Sequence, residues 1–97
     1  MAVVFELYFT DMAQEHYDGL APQKLAKVKK ALRFLKVNPR HPGLNTHVYH
    51  GIENPVDASA PVFEAYVENN TPGAYRLFWV FGPQRSQITV LAITPHP

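Results

Sequence analysis

Hydrophobic positions repeat with two different periods along this chain, and the change of period divides it. Val3 to Phe9 alternates loosely and is rich in β-prone residues, which predicts a first strand. Thr10 or Asp11 is placed to cap a short helix from about Met12 to Tyr17, its side-chain oxygen meeting a free backbone N–H, and Gly19 stops it. Ala21-Pro22 opens a second helix, where the missing proline N–H costs nothing. Leu25, Val28, Leu32 and Leu35 then recur at helical spacing as one apolar stripe, widened by Ala31. Phe34 lies off that stripe and is expected against the first helix. Asn38-Pro39 ends the helix, because a residue before proline avoids the α region.

Beyond the turn-rich joint NPRHPGL (38–44) the period falls to two. Thr46 to Tyr49 reads as a short polar edge strand, and residues 51–60 as a loop. Val62 to Val67 and Tyr75 to Phe81 read as strands joined by Asn69-Asn70-Thr71-Pro72-Gly73, a central antiparallel hairpin. After a second turn at Gly82 to Ser86, Gln87 to Thr94 is apolar on both faces and so interior to the sheet. Strands following helices predict an α+β fold, a single domain over 1–97 with two N-terminal helices on one face of a mainly antiparallel sheet of four to five strands. Two helices cover one face only. The apolar residues on the other face call for covering by loops, by the tail or by another chain.

Composition narrows the chemistry. An apolar content of 46% suits a globular domain. The absence of cysteine excludes disulfides, thiolate nucleophiles and cysteine-ligated zinc. The N-terminus lacks a basic region before its apolar residues and does not read as a signal peptide, and no run approaches a membrane span. A cytoplasmic protein is the expectation. The net charge of +1 conceals an asymmetry. Gly19 to Gly51 holds seven lysines and arginines and no acid, while the remainder carries eight acids against Arg76 and Arg85. Such a stripe either meets phosphates or an acidic partner, or is a solvated face with acids nearby in space. Helical spacing puts Lys29, Arg33 and Lys36 on one flank of the apolar stripe and Lys27 and Lys30 on the other.

Arg76 is the odd residue of the central hairpin, flanked by Tyr75, Leu77, Phe78 and Trp79. It requires an anion or an open face. If Glu68 stands opposite it, then Glu64, Tyr66, Glu68, Arg76 and Phe78 share a face. A shift of one residue sends Arg76 to the other face from Glu64. Both registers are open to the sequence.

The helix with Lys30-Ala31-Leu32 and Leu35 closing on NPRHPGL, followed by FEAY (63–66), AYRLFW (74–79) and ITVLAITPHP (88–97), resembles the RelE/ParE toxin superfamily of bacterial toxin–antitoxin modules over nearly the whole chain. The resemblance implies two helices on a curved antiparallel sheet. It also implies the toxin of a type II module, neutralised by a cognate antitoxin. The superfamily includes metal-independent, translation-linked mRNA endoribonucleases, gyrase inhibitors and members without known activity. Ribosome-bound mRNA and DNA gyrase are thus the two targets it offers, with an inactive antitoxin-binding scaffold as the third reading and a homodimer compatible with all of them.

Metal-free RNA cleavage needs a base for the 2′-hydroxyl, a cation for the phosphorane and an acid for the leaving 5′-oxygen. Arg76 suits the cation, its planar fork matching two phosphoryl oxygens, and its YRL segment resembles the strand that carries the family's catalytic arginine. His96 suits acid or base work and falls where similar nucleases place a terminal Tyr or His. Glu64 suits the base if it shares the face of Arg76. Lys29, Arg33, Lys36, Arg40 and His50 are candidates for binding RNA phosphates. Against these stand ordinary structural roles: an Arg76–Glu68 pair, a free tail at His96, a structural Glu64. No cofactor fingerprint is present, and His47 and His50, three apart on a strand, point to opposite faces and argue against a metal. The chain is also less basic than similar RNA-cleaving members, with no lysine after Lys36.

Overall fold

The computed structural model describes residues 4–69 and 71–95. The elements run β1 (Glu6–Phe9), α1 (Asp11–Asp18), α2 (Pro22–Val37), a single 3-10 turn at Pro42–Leu44, β2 (His47–Tyr49), β3 (Val62–Tyr66), β4 (Tyr75–Phe81) and β5 (Gln87–Pro95). The five strands form one sheet in the order β1-β5-β4-β3-β2, with β1 parallel to β5 and every other pair antiparallel. The expected α+β arrangement is therefore the one observed, with β5 interior and β2 at an edge.

Alternation along the strands sorts side chains to two cores. On one face, Ala65, Leu77, Trp79, Ile88, Val90 and Ile93 meet Val28, Ala31, Leu32 and Leu35 of α2. That is the apolar stripe read from helical spacing. On the other face Val62, Phe78, Val80, Leu91 and Ala92 form a second buried cluster. One irregularity adjusts this sorting. Phe78 pairs with Ala92 and Trp79 with Val90, so Leu91 is an extra residue in β5. The bulge puts two consecutive residues, Leu91 and Ala92, into the second cluster.

The second face is covered in part by the chain's own loop 50–61. Asn54, buried within it, accepts from the Val56 and Asp57 amides and donates to the Pro61 carbonyl. Val56 reaches the opposite turn, where a Cβ added to Gly82 would meet its Cγ1 at 3.1 Å. Tyr49 packs edge-on against Phe78 at 4.8 Å.

The short helix α1 seals the edge of β5 that β1 leaves open. The Thr10 hydroxyl caps α1 by accepting from the Ala13 amide at 3.1 Å and donates to the Leu91 carbonyl at 3.0 Å. His16 Nδ1 accepts the Ile93 amide at 3.1 Å. Phe34, expected against α1, stacks on the His41 ring, 3.9 Å away and 8° from parallel. Pro39 and the 3-10 turn fold the chain back under the helix end and bring that ring to Phe34.

Candidate functional site

The hairpin register decides which residues meet. Tyr66 stands opposite Arg76 and Glu64 opposite Phe78, so Glu64, Tyr66, Arg76 and Phe78 share the face away from α2. The observed register is neither of the two weighed from the sequence: Tyr66, two residues before Glu68, stands opposite Arg76, and this even shift keeps Glu64 on the face of Arg76. Glu68 nevertheless leaves that face. The Val67 and Glu68 amides both donate to the Tyr75 carbonyl, a local bulge that turns the Glu68 side chain toward α2. There it accepts from Lys24 at 2.8 Å, Lys27 at 3.0 Å and the Tyr75 amide at 3.1 Å. The Lys24 hydrogen bond, helped by those from Lys27 and Tyr75 and opposed by burial, holds the Glu68 carboxyl down at about 2. The expected Arg76–Glu68 ion pair is thus replaced by a Glu68–lysine cluster. Of Glu68, Arg76 keeps only the backbone carbonyl.

Arg76 is 7% exposed. Its Nη1 donates to the Glu68 carbonyl at 2.7 Å and the Tyr75 carbonyl at 3.1 Å, and the Tyr66 ring lies over the guanidinium at 3.8 Å. Its Nε lies 3.9 Å from Glu64 Oε2, too far for a hydrogen bond, and has no hydrogen-bond partner among the described residues. Glu64, 2% exposed, reaches outward to β2: its Oε1 is 2.7 Å from His47 Nε2. The other ring nitrogen of His47 faces the Asn45 carbonyl at 2.9 Å. Oxygens at 2.7 and 2.9 Å thus flank the two ring nitrogens of the imidazole. Its side chain is 47% exposed, so this is where the cluster opens to solvent.

His47 and Tyr66 are the residues that sequence reasoning missed. The His47-x-x-His50 spacing argues only about a metal and does not point to Glu64. The available signal was a polar Glu64 inside an otherwise apolar strand beside a polar edge strand, which marks a wet or paired position. Among the described residues no three His, Asp or Glu side chains gather as a metal site. His96 lies outside the described residues.

The remaining candidates sit elsewhere. Lys29, Arg33 and Lys36 are exposed on α2, which packs on the opposite side of the sheet from Arg76, and His50 is exposed just after β2. Lys24 and Lys27 are compensated by Glu68, so the unpaired cations lie toward the C-terminal half of the basic stretch. Arg40 lines a groove of about 530 Å³ that curves round the β2 edge, together with His41, His47, Val48, Phe63, Trp79 and Phe81.

Two helices on one face of this five-stranded sheet match the fold of solved RelE and YoeB/ParE toxins. Similar solved structures include the archaeal RelE–RelB complex from Pyrococcus horikoshii OT3, with TM-score 0.69 and 11% identity over 95% of this chain and 94% of that one. A YoeB/ParE toxin from Agrobacterium tumefaciens gives TM-score 0.71 and 12% identity over 96% and 100% of the two chains. The YoeB dimer from Staphylococcus aureus gives 0.60 and 12% over 96% and 98%. No family model matches the sequence, and a search of curated proteins finds no match.

Proposed function

We propose that this protein is the toxin of a type II toxin–antitoxin module and acts as a metal-independent endoribonuclease on translated mRNA. The observation that carries the reading is the His47–Glu64 pair, an imidazole half open to solvent held by a buried carboxylate at 2.7 Å. Such a pair is a proton carrier at a surface that RNA can reach. In the proposed reaction the ribose 2′-oxygen attacks the adjacent phosphorus and the bond to the 5′-oxygen breaks. The His47–Glu64 pair handles one of the two proton transfers, and the reading assigns the other to His96. Arg76 stands behind Glu64 as the cation of the site, its Nε 3.9 Å from the Glu64 carboxylate and without a hydrogen bond among the described residues, and that N–H is the donor assigned to a phosphoryl oxygen. Lys29, Arg33, Lys36, Arg40 and His50 are assigned to phosphates of the surrounding RNA. The fold shared with RelE, crystallised with RelB, supports a cognate antitoxin as partner, and the YoeB dimer supports a homodimer as a further assembly.

The test uses purified protein with translating ribosomes and maps new mRNA 5′ ends. Wild type is expected to create ends that Glu64→Gln and Arg76→Ala lose. Identical ends from wild type and both variants would sink the catalytic reading.

A second reading is favoured by the burial of Arg76, whose guanidinium is occupied by two carbonyls and a ring. On that reading the chain is a non-catalytic binding protein of the same fold, either a gyrase inhibitor or an antitoxin-binding scaffold. A supercoiling assay separates these: inhibition selects the first, unaffected gyrase leaves the scaffold.

A further inference from the structure

We infer that the groove around the β2 edge is a subsite for single-stranded RNA, holding an unpaired base against Phe81 and the neighbouring phosphate between Arg40 and His41. The inference rests on the RNA reading above and adds to it a path for the strand on the helix side of the sheet.

The lining has the two chemistries such a ligand needs. Among the described residues that line it, Arg40, His41 and His47 are basic and none is acidic. Arg40 is exposed and has no ion pair among the described residues. His41 is locked by stacking on Phe34, and its Nδ1 accepts the Gly43 amide at 2.9 Å, which leaves Nε2 as the donor of the ring. Phe63 and Trp79 stack on one another at 4.8 Å, so those faces are used. Phe81 stands edge-on to both, at 76° and 88°, and remains 45% exposed. An exposed ring sharing a groove with an unpaired arginine and a histidine N–H donor is the arrangement that binds single strands, bases stacking and phosphates pairing.

Size and continuity favour RNA over a peptide. A groove of about 530 Å³ is on the scale of a small ligand. The adjoining edge strand is three residues long, a short template for a peptide adding as a strand. His47 belongs to both the groove and the Glu64 pair, so a strand seated in the groove places its next phosphate beside that pair.

The experiment uses a short, fluorescently labelled 2′-O-methyl oligoribonucleotide, which has no free 2′-hydroxyl and cannot be cleaved by 2′-attack. Trp79 is the sole tryptophan; it is buried but packs edge-on against Phe81, so a base stacked on Phe81 is expected to change its emission. Saturable quenching of Trp79 is expected, with anisotropy of the label giving the same affinity. Phe81→Ala should weaken binding about tenfold. Because Phe81 also packs on Phe5, Phe63 and Trp79, the exposed Arg40→Ala is the second variant. It should weaken binding and lower the log–log salt slope by roughly 0.7. No saturable rise in the anisotropy of the label, or wild-type binding by both variants, overturns the inference. Quenching by an acidic peptide but not by RNA overturns it in favour of a protein partner. Cleavage is read separately: Glu64→Gln that binds the oligonucleotide normally yet cleaves like wild type ends the catalytic reading and leaves the subsite standing.

Discussion

The Tyr66 ring lies over the Arg76 guanidinium at 3.8 Å, and the two residues face each other directly across β3 and β4. A ring and a cation desolvated together in this way attract by about 2 kcal/mol. The same guanidinium ties the Glu68 and Tyr75 carbonyls at the hairpin end. Lysine has one point charge and no planar fork. Arg76→Lys should therefore lower stability by about 1–2 kcal/mol, and Arg76→Ala by about 3 kcal/mol, since Glu64 then stays buried without its nearby cation. Urea unfolding measures both. Unshifted midpoints would show that the guanidinium contributes nothing to the fold.

The proton-carrying role proposed for His47 is separated from packing by a substitution that keeps its hydrogen bond. In His47→Gln the amide still donates to Glu64 but does not titrate. Stability should stay within about 1 kcal/mol of wild type, while cleavage of translated mRNA falls by about 100-fold or more. Equal cleavage would remove His47 from the reaction.

Glu68 gives stability a pH dependence of definite sign. Its carboxyl ionises at about 2 in the fold against an ordinary value of 4.5. The folded state thus binds this proton less readily than the unfolded chain does. The stabilisation is full above 4.5 and is lost as pH falls through that value toward about 2. Glu68→Gln should flatten that decline and cost about 1–3 kcal/mol at neutral pH. Urea titrations at several pH values between these limits check it, and a parallel decline in the variant would refute the assignment.

The Thr10 hydroxyl caps α1 and reaches β5 with the same atom. Thr10→Ala should cost about 1–2 kcal/mol, and Thr10→Ser should recover most of it. Faster amide exchange at Ile93, whose N–H is held by His16 of the same helix, is the local readout. Unchanged exchange there would mean that α1 docks without its cap.

The order of elements was legible because each rested on local chemistry. Pro22 and Asn38-Pro39 bound α2 within a residue of the expected ends, and the spacing of Val28, Leu32 and Leu35 named its buried face. Asn and Gly in 69–73 placed the hairpin turn, and Gly73 takes the positive φ of 67° that this residue type accepts. The stacking of Phe34 on His41 was not legible, because that ring arrives through a turn beyond the helix and helical spacing carries no information about it.

The amino-acid sequence by itself determined the α+β class, the helix face and strand candidates, and a basic stretch with one anomalous arginine. These follow from period, propensity and charge, which are properties of neighbours along the chain. Only the tertiary structure decided what that arginine touches. Cross-strand pairing set Arg76 opposite Tyr66 and on the face of Glu64. A bulge turned Glu68 away to Lys24 and Lys27, and a three-residue edge strand brought His47 to Glu64. The physical reason is that strand register is a cooperative outcome of two segments and their burial. A shift of one residue, invisible in either segment alone, exchanges every partner on the face.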